Sequence, residues 1–512
     1  MRLLPTIALG LISALVLTPV ALAASAKKSG RKTSTQRSTT GRKPSSKSTT
    51  AKTTKTIAPA ANKVVSEAPA KIDVKPLSPE MAEKYKLFLE KLDEQAKNDS
   101  LDYCPALQIV LDTTGDEWAA LEWMQHAANE GYAAAQSYVS GRVLSHVPGD
   151  KLQDPATIQA YRLAKAAADK GYDPAGVDVS ICLRHGIGTT KNEAAANAQL
   201  LKACKGGSFE TRFKWLQLTG RLNKFDDKDR PEVKSEIDRG NHHIMYYLSS
   251  YAPDSPTQVE WLRKAAEQGN AEALFTLSSL SSRIKPKDSY VLLQEAVKLH
   301  SPAAMFVLGT ALADPDPNNK FTQEAGIAKD EKTGIHLVRL AAMIGNSQSN
   351  MALGHAYYDG TFGLPKDAEK AYRHYAAARN ARNIAGAAAE GYLLLKGEGV
   401  KQDTTRGTSL LNLAANAGYA HACVLLAHAE YAGFDGSPDA SKAEEYLNDA
   451  AVRKMPEAYV FLAYITAKGG ANLKANPQLA ENYVRMASLD MGDKAQQLYD
   501  KLMSEGKWEP HP

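Results

Sequence analysis

Two short motifs contain the residue types that penicillin-recognising serine hydrolases use for nucleophilic attack. The stretch Ser282 to Lys285 reads Ser-x-x-Lys, in which the lysine would activate the serine, and Lys332 to Gly334 reads Lys-Thr-Gly. Enzymes of this class also need a Ser-x-Asn motif, and none stands between the two stretches. We therefore interpret both as chance matches. A hydrolase of the β-lactamase or penicillin-binding type is the least favoured function.

Histidines and cysteines bind a metal only where several of them converge. His421, Cys423 and His428 share one expected helix, but the two histidines are two turns apart and too distant for one ion. His242 and His243 are adjacent and are expected to point in different directions. Because no His-Glu-x-x-His motif occurs either, we predict no metal site and expect solvated histidines.

Glycine-rich loops that hold phosphates connect a strand to a helix. The two Gly-x-Gly stretches, Gly186 to Gly188 and Gly397 to Gly399, lie instead between two segments with helical patterning. We read them as turns. The sequence therefore predicts no catalytic residue, no cofactor and no cofactor-binding residue.

The first residues have the pattern of a secretory signal peptide. Arg2 precedes a mainly apolar run from Leu3 to Leu22 that ends at the small-x-small sequence Ala21 to Ala23. The apolar stretch between Pro5 and Pro19 is too short to span a membrane. No cysteine follows the small residues, so lipid anchoring is not expected. We predict a signal peptide at 1–23, a periplasmic or secreted protein, and no membrane span after cleavage.

Export would place the cysteines in an oxidising compartment, where they could form disulfides. Their spacing shows no regular pattern, so the sequence leaves their disulfide state open. The four cysteines are Cys104, Cys182, Cys204 and Cys423.

Residues 24–76 are strongly basic, whereas the chain after them is net acidic. The segment is rich in Ser, Thr, Lys and Arg, and eleven basic residues but no acidic one lie between Lys27 and Lys63. With so few large apolar side chains, it is predicted to be a disordered tether. It could bind a polyanion such as lipopolysaccharide or a wall polymer, serve as a spacer, or fold back on the acidic part.

Most of the chain is predicted to be a repeat array. An Ala-Ala-x-x-Gly element recurs with a period of about 36, which is typical of two-helix repeats. One interval of 62 residues contains an insertion or a decayed repeat near Asn223 to Arg239. Clear copies end at Gly131, Gly171, Gly269, Gly345 and Gly418, and degenerate ones at Gly207, His300, Ala381, Lys454 and Met491.

Positions within the repeat are also regular. A small residue such as Ala135 or Ala422 lies four residues past the end-point, and an aliphatic residue such as Val139 or Leu426 lies eight past it. This spacing places both on one helix face. Fifteen residues past the end-point, a glycine such as Gly360 turns the chain. Each repeat is therefore predicted to be helix, turn, helix.

Two stretches resemble the Sel-one-like repeat family. One runs from Leu353 through Tyr357 and Gly360 to Ala377, and the second contains the loop Gly397-Glu398-Gly399-Val400. The resemblance covers about Asp116 to Gly492 and is weakest between Ser208 and Tyr251. It implies an all-α, right-handed superhelical solenoid of antiparallel helix pairs, similar to tetratricopeptide arrays, whose first helices line a concave groove.

A cysteine-rich branch of this family pairs thiols between repeats and has been linked to penicillin binding. Cys204 matches the first position of such a pair, but Arg212 stands at its partner position. Cys423 matches the second position, but Ala415 stands at its partner position. The resemblance therefore does not imply these disulfides here.

The predicted organisation has five parts: a signal peptide (1–23), a tether (24–76), an N-terminal helical cap (77–115), an array of about ten repeats (116–492), and a capping helix with a tail (493–512). We predict a non-catalytic scaffold of the bacterial periplasm or envelope that binds an unidentified protein or peptide in its concave groove. The alternative is an envelope protein that acts through its basic arm.

Overall fold

A computed structural model describes residues 68–98, 100–145, 147, 151–280, 284–316, 319–434 and 436–512. The predicted signal peptide and residues 24–67 of the predicted tether lie outside these residues. Within them the chain is all-α, as predicted, with 25 α-helices and no strand beyond one isolated bridge. No helix of the described part combines the length and apolarity needed to cross a membrane.

The helices form eleven successive pairs. The first helices of the pairs are α2 (Cys104–Thr114), α4 (Ala133–Leu144), α6 (Asp173–His185), α8 (Phe209–Leu218), α10 (His242–Ser249), α12 (Ala271–Ser278), α14 (Pro302–Ala313), α17 (Ser347–Asp359), α19 (Ile384–Lys396), α21 (Ala420–Ala432) and α23 (Glu457–Lys468). The second helices are α3 (Ala119–Glu130), α5 (Pro155–Asp169), α7 (Glu193–Gly206), α9 (Pro231–Asp238), α11 (Ser255–Glu267), α13 (Pro286–Lys298), α16 (Glu331–Ile344), α18 (Ala368–Asn380), α20 (Thr404–Asn416), α22 (Ala440–Val452) and α24 (Pro477–Met491).

Three helices lie outside the pairs: α1 (Ala82–Lys97) before the first pair, the short α15 (Lys320–Ala325) between α14 and α16, and α25 (Asp493–Glu505) after the last pair. Helix α2, which the sequence prediction placed in an N-terminal cap, packs mainly against α1 and less extensively against α3.

Local sequence sets the ends of the helices. Several second helices begin at an aspartate whose carboxylate accepts a hydrogen bond from a backbone N–H one turn later; Asp367 and Asp403 are examples. The first helices end at the predicted glycines, with left-handed backbone at Gly186, Gly360 and Gly433. These caps fix where each helix stops and the chain turns.

The predicted packing positions are confirmed. The small residues four past the end-points are fully buried, and the aliphatic residues eight past them are at most 8% exposed. The small residues allow close approach of the helices, and the aliphatic residues fill the space beside them. The two sets are Ala135, Ala175, Ala273, Ala304, Ala422 and Ala458, and Val139, Val179, Leu277, Leu308, Leu353, Leu426 and Leu462.

The structure resolves two uncertain parts of the repeat register. The interval of 62 residues contains a decayed repeat, because α9 ends before Gly240, which is left-handed like the end-points Gly171 and Gly269. The Arg212–Glu236 ion pair (3.1 Å) links α8 to α9. The end-point predicted at Ala381 was wrong by one residue, since Arg382 has the left-handed backbone there with φ 61°.

First and second helices occupy different sides of the array. The first helices of neighbouring pairs contact one another; examples are α4 with α6 and α19 with α21. The second helices of neighbouring pairs make at most marginal contact. Helices on the inner side of a curved stack lie closer together than those on the outer side. The first helices therefore line the concave side.

Candidate functional site

The concave side of the last repeats is occupied by the chain's own tail. Helix α25 ends at Gly506, whose backbone is left-handed, and residues Lys507–Pro512 then run back over the first helices α17, α21 and α23. We call this surface of α17, α19, α21 and α23 the C-terminal groove, and Lys507–Pro512 the tail. Alternate tail residues, Trp508, Pro510 and Pro512, are buried, and the residues between them are exposed. The tail is thus bound as an extended peptide with one face in the groove.

Trp508 is the main apolar anchor of the tail and is only 3% exposed. Its ring stacks on Phe461 of α23, with centroids 5.0 Å apart and planes 22° apart. His428 of α21 meets the ring edge-on at 5.2 Å, and Tyr431 lies 6.2 Å away. Burial of an indole among aromatic rings is one of the larger contributions that a single side chain makes to an interface.

His511 provides the polar contacts at the far end of the tail. Its Nε2 lies 3.0 Å from Oδ2 of Asp359, and its ring lies 4.7 Å from that of His355 and 5.3 Å from that of Tyr358. Nε2 of His421 lies 2.7 Å from the backbone oxygen of His511. The groove therefore contacts both side chains and backbone of the tail.

The groove histidines are held neutral. Burial, followed by the charges of His511 and His421, lowers the pKa of His355 to about 3, and burial lowers the pKa of His428 to about 4. Burial also lowers the pKa of His421. The prediction of solvated histidines was therefore wrong for His421 and His428, which form the floor of the groove.

A second extended segment lies on the outer, second-helix side. The backbone N–H and oxygen of Ala70 both bond to the amide of Gln159, at 3.0 and 2.6 Å. Ile72 makes the same pair of bonds with Asn129, both at 2.8 Å. Residues 68–76, which the sequence prediction assigned to the tether, are thus bound through their backbone. The other residues of that tether lie outside the described part.

A buried polar cluster joins the first pair to much later repeats. The Glu117 carboxylate accepts hydrogen bonds from Nε and Nη2 of Arg339, at 2.8 and 2.6 Å, and from Tyr357 Oη at 3.2 Å. It also lies 2.9 Å from Nε2 of His374. Burial alone would raise the pKa of Glu117, but hydrogen bonds and charge from His374 and Arg339 outweigh it and lower the pKa to about 2.

The motifs considered for chemistry do not assemble into a site in the described part of the chain. Ser282 lies outside the described residues, and Lys332 to Gly334 form the first turn of α16. The rings of His242 and His243 are 4.2 Å apart, so the expectation that they point different ways was wrong. The four cysteines, Cys104, Cys182, Cys204 and Cys423, are buried free thiols.

Sequence reasoning missed the residues that form the C-terminal groove and its occupant. The available signal was the tail sequence itself, in which Trp508, Pro510 and Pro512 alternate with polar residues. Alternation of this kind is typical of a peptide bound along one face.

Stacked helix pairs with a peptide in the concave groove define a helical repeat protein of the solenoid class. The family model of the Sel1 repeat matches residues 114–132, 135–172, 177–208, 259–270, 347–383, 386–419, 420–451 and 456–489. The chain belongs to the Sel1 repeat family. Proteins of this family are generally non-catalytic scaffolds for protein–protein interactions.

Among the solved structures that are similar to this chain are two bacterial repeat proteins. One is c5321, described as a protective antigen of uropathogenic Escherichia coli strains with an SLR fold, with 20% identity over 81% of this chain and 90% of that one, and a TM-score of 0.43. The other is a Sel1 repeat protein from Oxalobacter formigenes, with 20% identity over 62% of this chain and 91% of that one, and a TM-score of 0.34. No curated protein gives a significant match.

Proposed function

We propose that this protein is a non-catalytic scaffold of the bacterial periplasm or envelope, whose C-terminal groove binds an extended peptide segment of a partner protein. The observation that carries the proposal is the tail, which lies in the groove with every second residue buried. The tail is then a resident ligand that a partner segment displaces. The signal-peptide pattern of residues 1–23 supports export.

The tail contacts suggest the chemistry of a partner segment. Phe461 and His428 form a slot that suits an aromatic ring, as they do for Trp508. Pro510 and Pro512 favour an extended backbone that loses little entropy on binding. A matching segment has an aromatic residue followed, at two-residue intervals, by residues that favour an extended chain.

The test uses a fluorescent peptide with the sequence of Lys507–Pro512 and a protein variant that ends at Gly506. We expect saturable binding measured by fluorescence anisotropy. Phe461→Ala should weaken binding about tenfold or more, because it removes the ring on which the indole stacks.

Tyr459→Ala is the matched control. Tyr459 lies on the same helix, but its ring stacks on Tyr483 of the following helix, 6.3 Å away, and not on the tail. We expect it to leave binding unchanged. Equal loss in both variants, or a peptide with Trp replaced by Ala that binds as tightly, would contradict the proposal.

The alternative function through the basic arm depends on residues outside the described part of the chain. The described hydrogen bonds of residues 68–76 are with protein side chains, Gln159, Asn129 and His126, and give it no support. The peptide-binding function is therefore favoured.

A further inference from the structure

Three side chains with metal-binding atoms converge where the first repeat meets a later one. Asp102 and Cys104 lie at the start of α2, and His300 lies in the turn between α13 and α14, 198 residues after Asp102. Nδ1 of His300 is 2.6 Å from Oδ2 of Asp102. One ligand atom from each of the three residues lies within 4.8 Å of the other two.

The donor set is one carboxylate oxygen, one imidazole nitrogen and one thiol sulfur. This mixture suits Zn²⁺, which binds oxygen, nitrogen and sulfur ligands in tetrahedral geometry. In such a site the ligand atoms are about 3.3–3.8 Å apart, so these side chains need to move by only about 1 Å. The backbone N–H of Cys104 bonds to Oδ1 of Asp102 at 3.1 Å and holds the carboxylate beside the thiol.

Burial differs across the cluster in the way an open metal site requires. Cys104 is fully buried, whereas the side chains of Asp102 and His300 are 45% and 31% exposed. A bound ion would therefore have protein on the sulfur side and water at its fourth position. Burial raises the pKa of the Cys104 thiol to about 12, so coordination would have to displace the thiol proton.

We propose that Asp102, Cys104 and His300 form a zinc site that joins the first repeat to the turn between α13 and α14. This departs from the sequence-based prediction of no metal site. The sequence spacing gave no indication, since only the curvature of the array brings His300 to Asp102. Zinc bound there would link two parts of the superhelix and raise its resistance to heat.

The test titrates the chelator-treated chain with CoCl₂, which reports thiolate coordination by a charge-transfer absorption, and then displaces cobalt with ZnCl₂. We expect one cobalt per chain, thiolate charge transfer, and loss of both on addition of zinc. Cys104→Ser should abolish the charge-transfer absorption. Asp102→Asn should keep it and weaken cobalt affinity about tenfold or more.

Two matched controls separate this site from other thiols and histidines. Cys182→Ser replaces another buried free cysteine, and His336→Ala removes a histidine that lies 3.7 Å from Asp112 at the same interface. Both should bind cobalt as the parent does.

The proposal is overturned if the parent chain shows no thiolate absorption, or if Cys104→Ser retains it. If circular dichroism shows that Cys104→Ser is unfolded, the test uses variants of the partly exposed Asp102 and His300 instead. Unchanged cobalt affinity in both Asp102→Asn and His300→Ala would then reject the site.

Discussion

Glu117→Gln is predicted to open the contact between the first repeat and the later repeats. The carboxylate is 3% exposed and binds Arg339, which is 16% exposed. The difference between the ordinary pKa of 4.5 and the value of about 2 in the folded chain corresponds to about 3 kcal/mol of stabilisation at neutral pH. Removing one partner of a buried pair costs a similar amount, because the other charge stays buried.

Amide hydrogen exchange of residues 104–130 measures this loss locally, which suits a repeat array that does not unfold in one step. A loss of about 3 kcal/mol corresponds to roughly 100-fold faster exchange through opening of the contact. The matched control is Asp112→Asn, which removes the exposed pair with His336 at the same interface. That pair is expected to contribute less than about 1 kcal/mol.

The pH dependence of stability gives a second measurement of the contribution of Glu117. Because the pKa of Glu117 is lowered on folding, its stabilisation is present above about pH 4.5 and is lost as the pH falls towards 2. Glu117→Gln should lack this part of the acid transition. The reasoning is refuted if Glu117→Gln protects residues 104–130 as well as Asp112→Asn does, or if the two share the parent's acid profile.

Three further predictions concern the repeat turns, the groove and the thiols. Gly345→Val should destabilise the array by about 1–3 kcal/mol in urea unfolding, because φ is 105° at this position, although the space around it is open. Gly141→Ala, at an open position within a helix, should not destabilise the array. Equal effects of the two substitutions would reject the repeat register. Peptide binding to the chain ending at Gly506 should weaken as the pH falls from about 6.5, the ordinary pKa of histidine, towards 4, since the bound tail lies against a neutral His355 and a neutral His428; a flat profile counts against this. The four cysteines, buried and with raised pKa, should react with a thiol reagent only after denaturation, and rapid labelling of the native chain would disagree.

The repeat architecture could be predicted because each repeat encodes its own packing. Ala422 and Leu426 lie on one face of a single helix, so their spacing is readable without knowing what they contact. The end-point at Ala381 was misplaced by one residue because the local sequence does not mark it. Arg382 takes the left-handed position that glycine takes at the clear end-points, and no residue type marks it.

The sites could not be predicted, because they depend on contacts between distant parts of the chain. His511 meets Asp359 across 152 residues, and Arg339 meets Glu117 across 222. The contact of Arg339 with Glu117 follows from the accumulated rotation of the repeats, and that of His511 with Asp359 follows from the turn of the tail at Gly506; no local pattern contains either. The decayed repeat near Gly240 could be given only as one of two readings of the long interval, because its second helix is short and lacks the paired alanines.

The most direct test of the central claim is to locate the partner on the protein in intact cells. A photo-crosslinking residue is placed at Tyr358 in the C-terminal groove, or at Leu489, which is 84% exposed on the second helix α24, in the chain that ends at Gly506. We predict protein adducts from position 358 that are lost when a peptide of Lys507–Pro512 competes. Adducts from position 489 alone, or adducts at 358 that the peptide does not reduce, would contradict a peptide-binding groove.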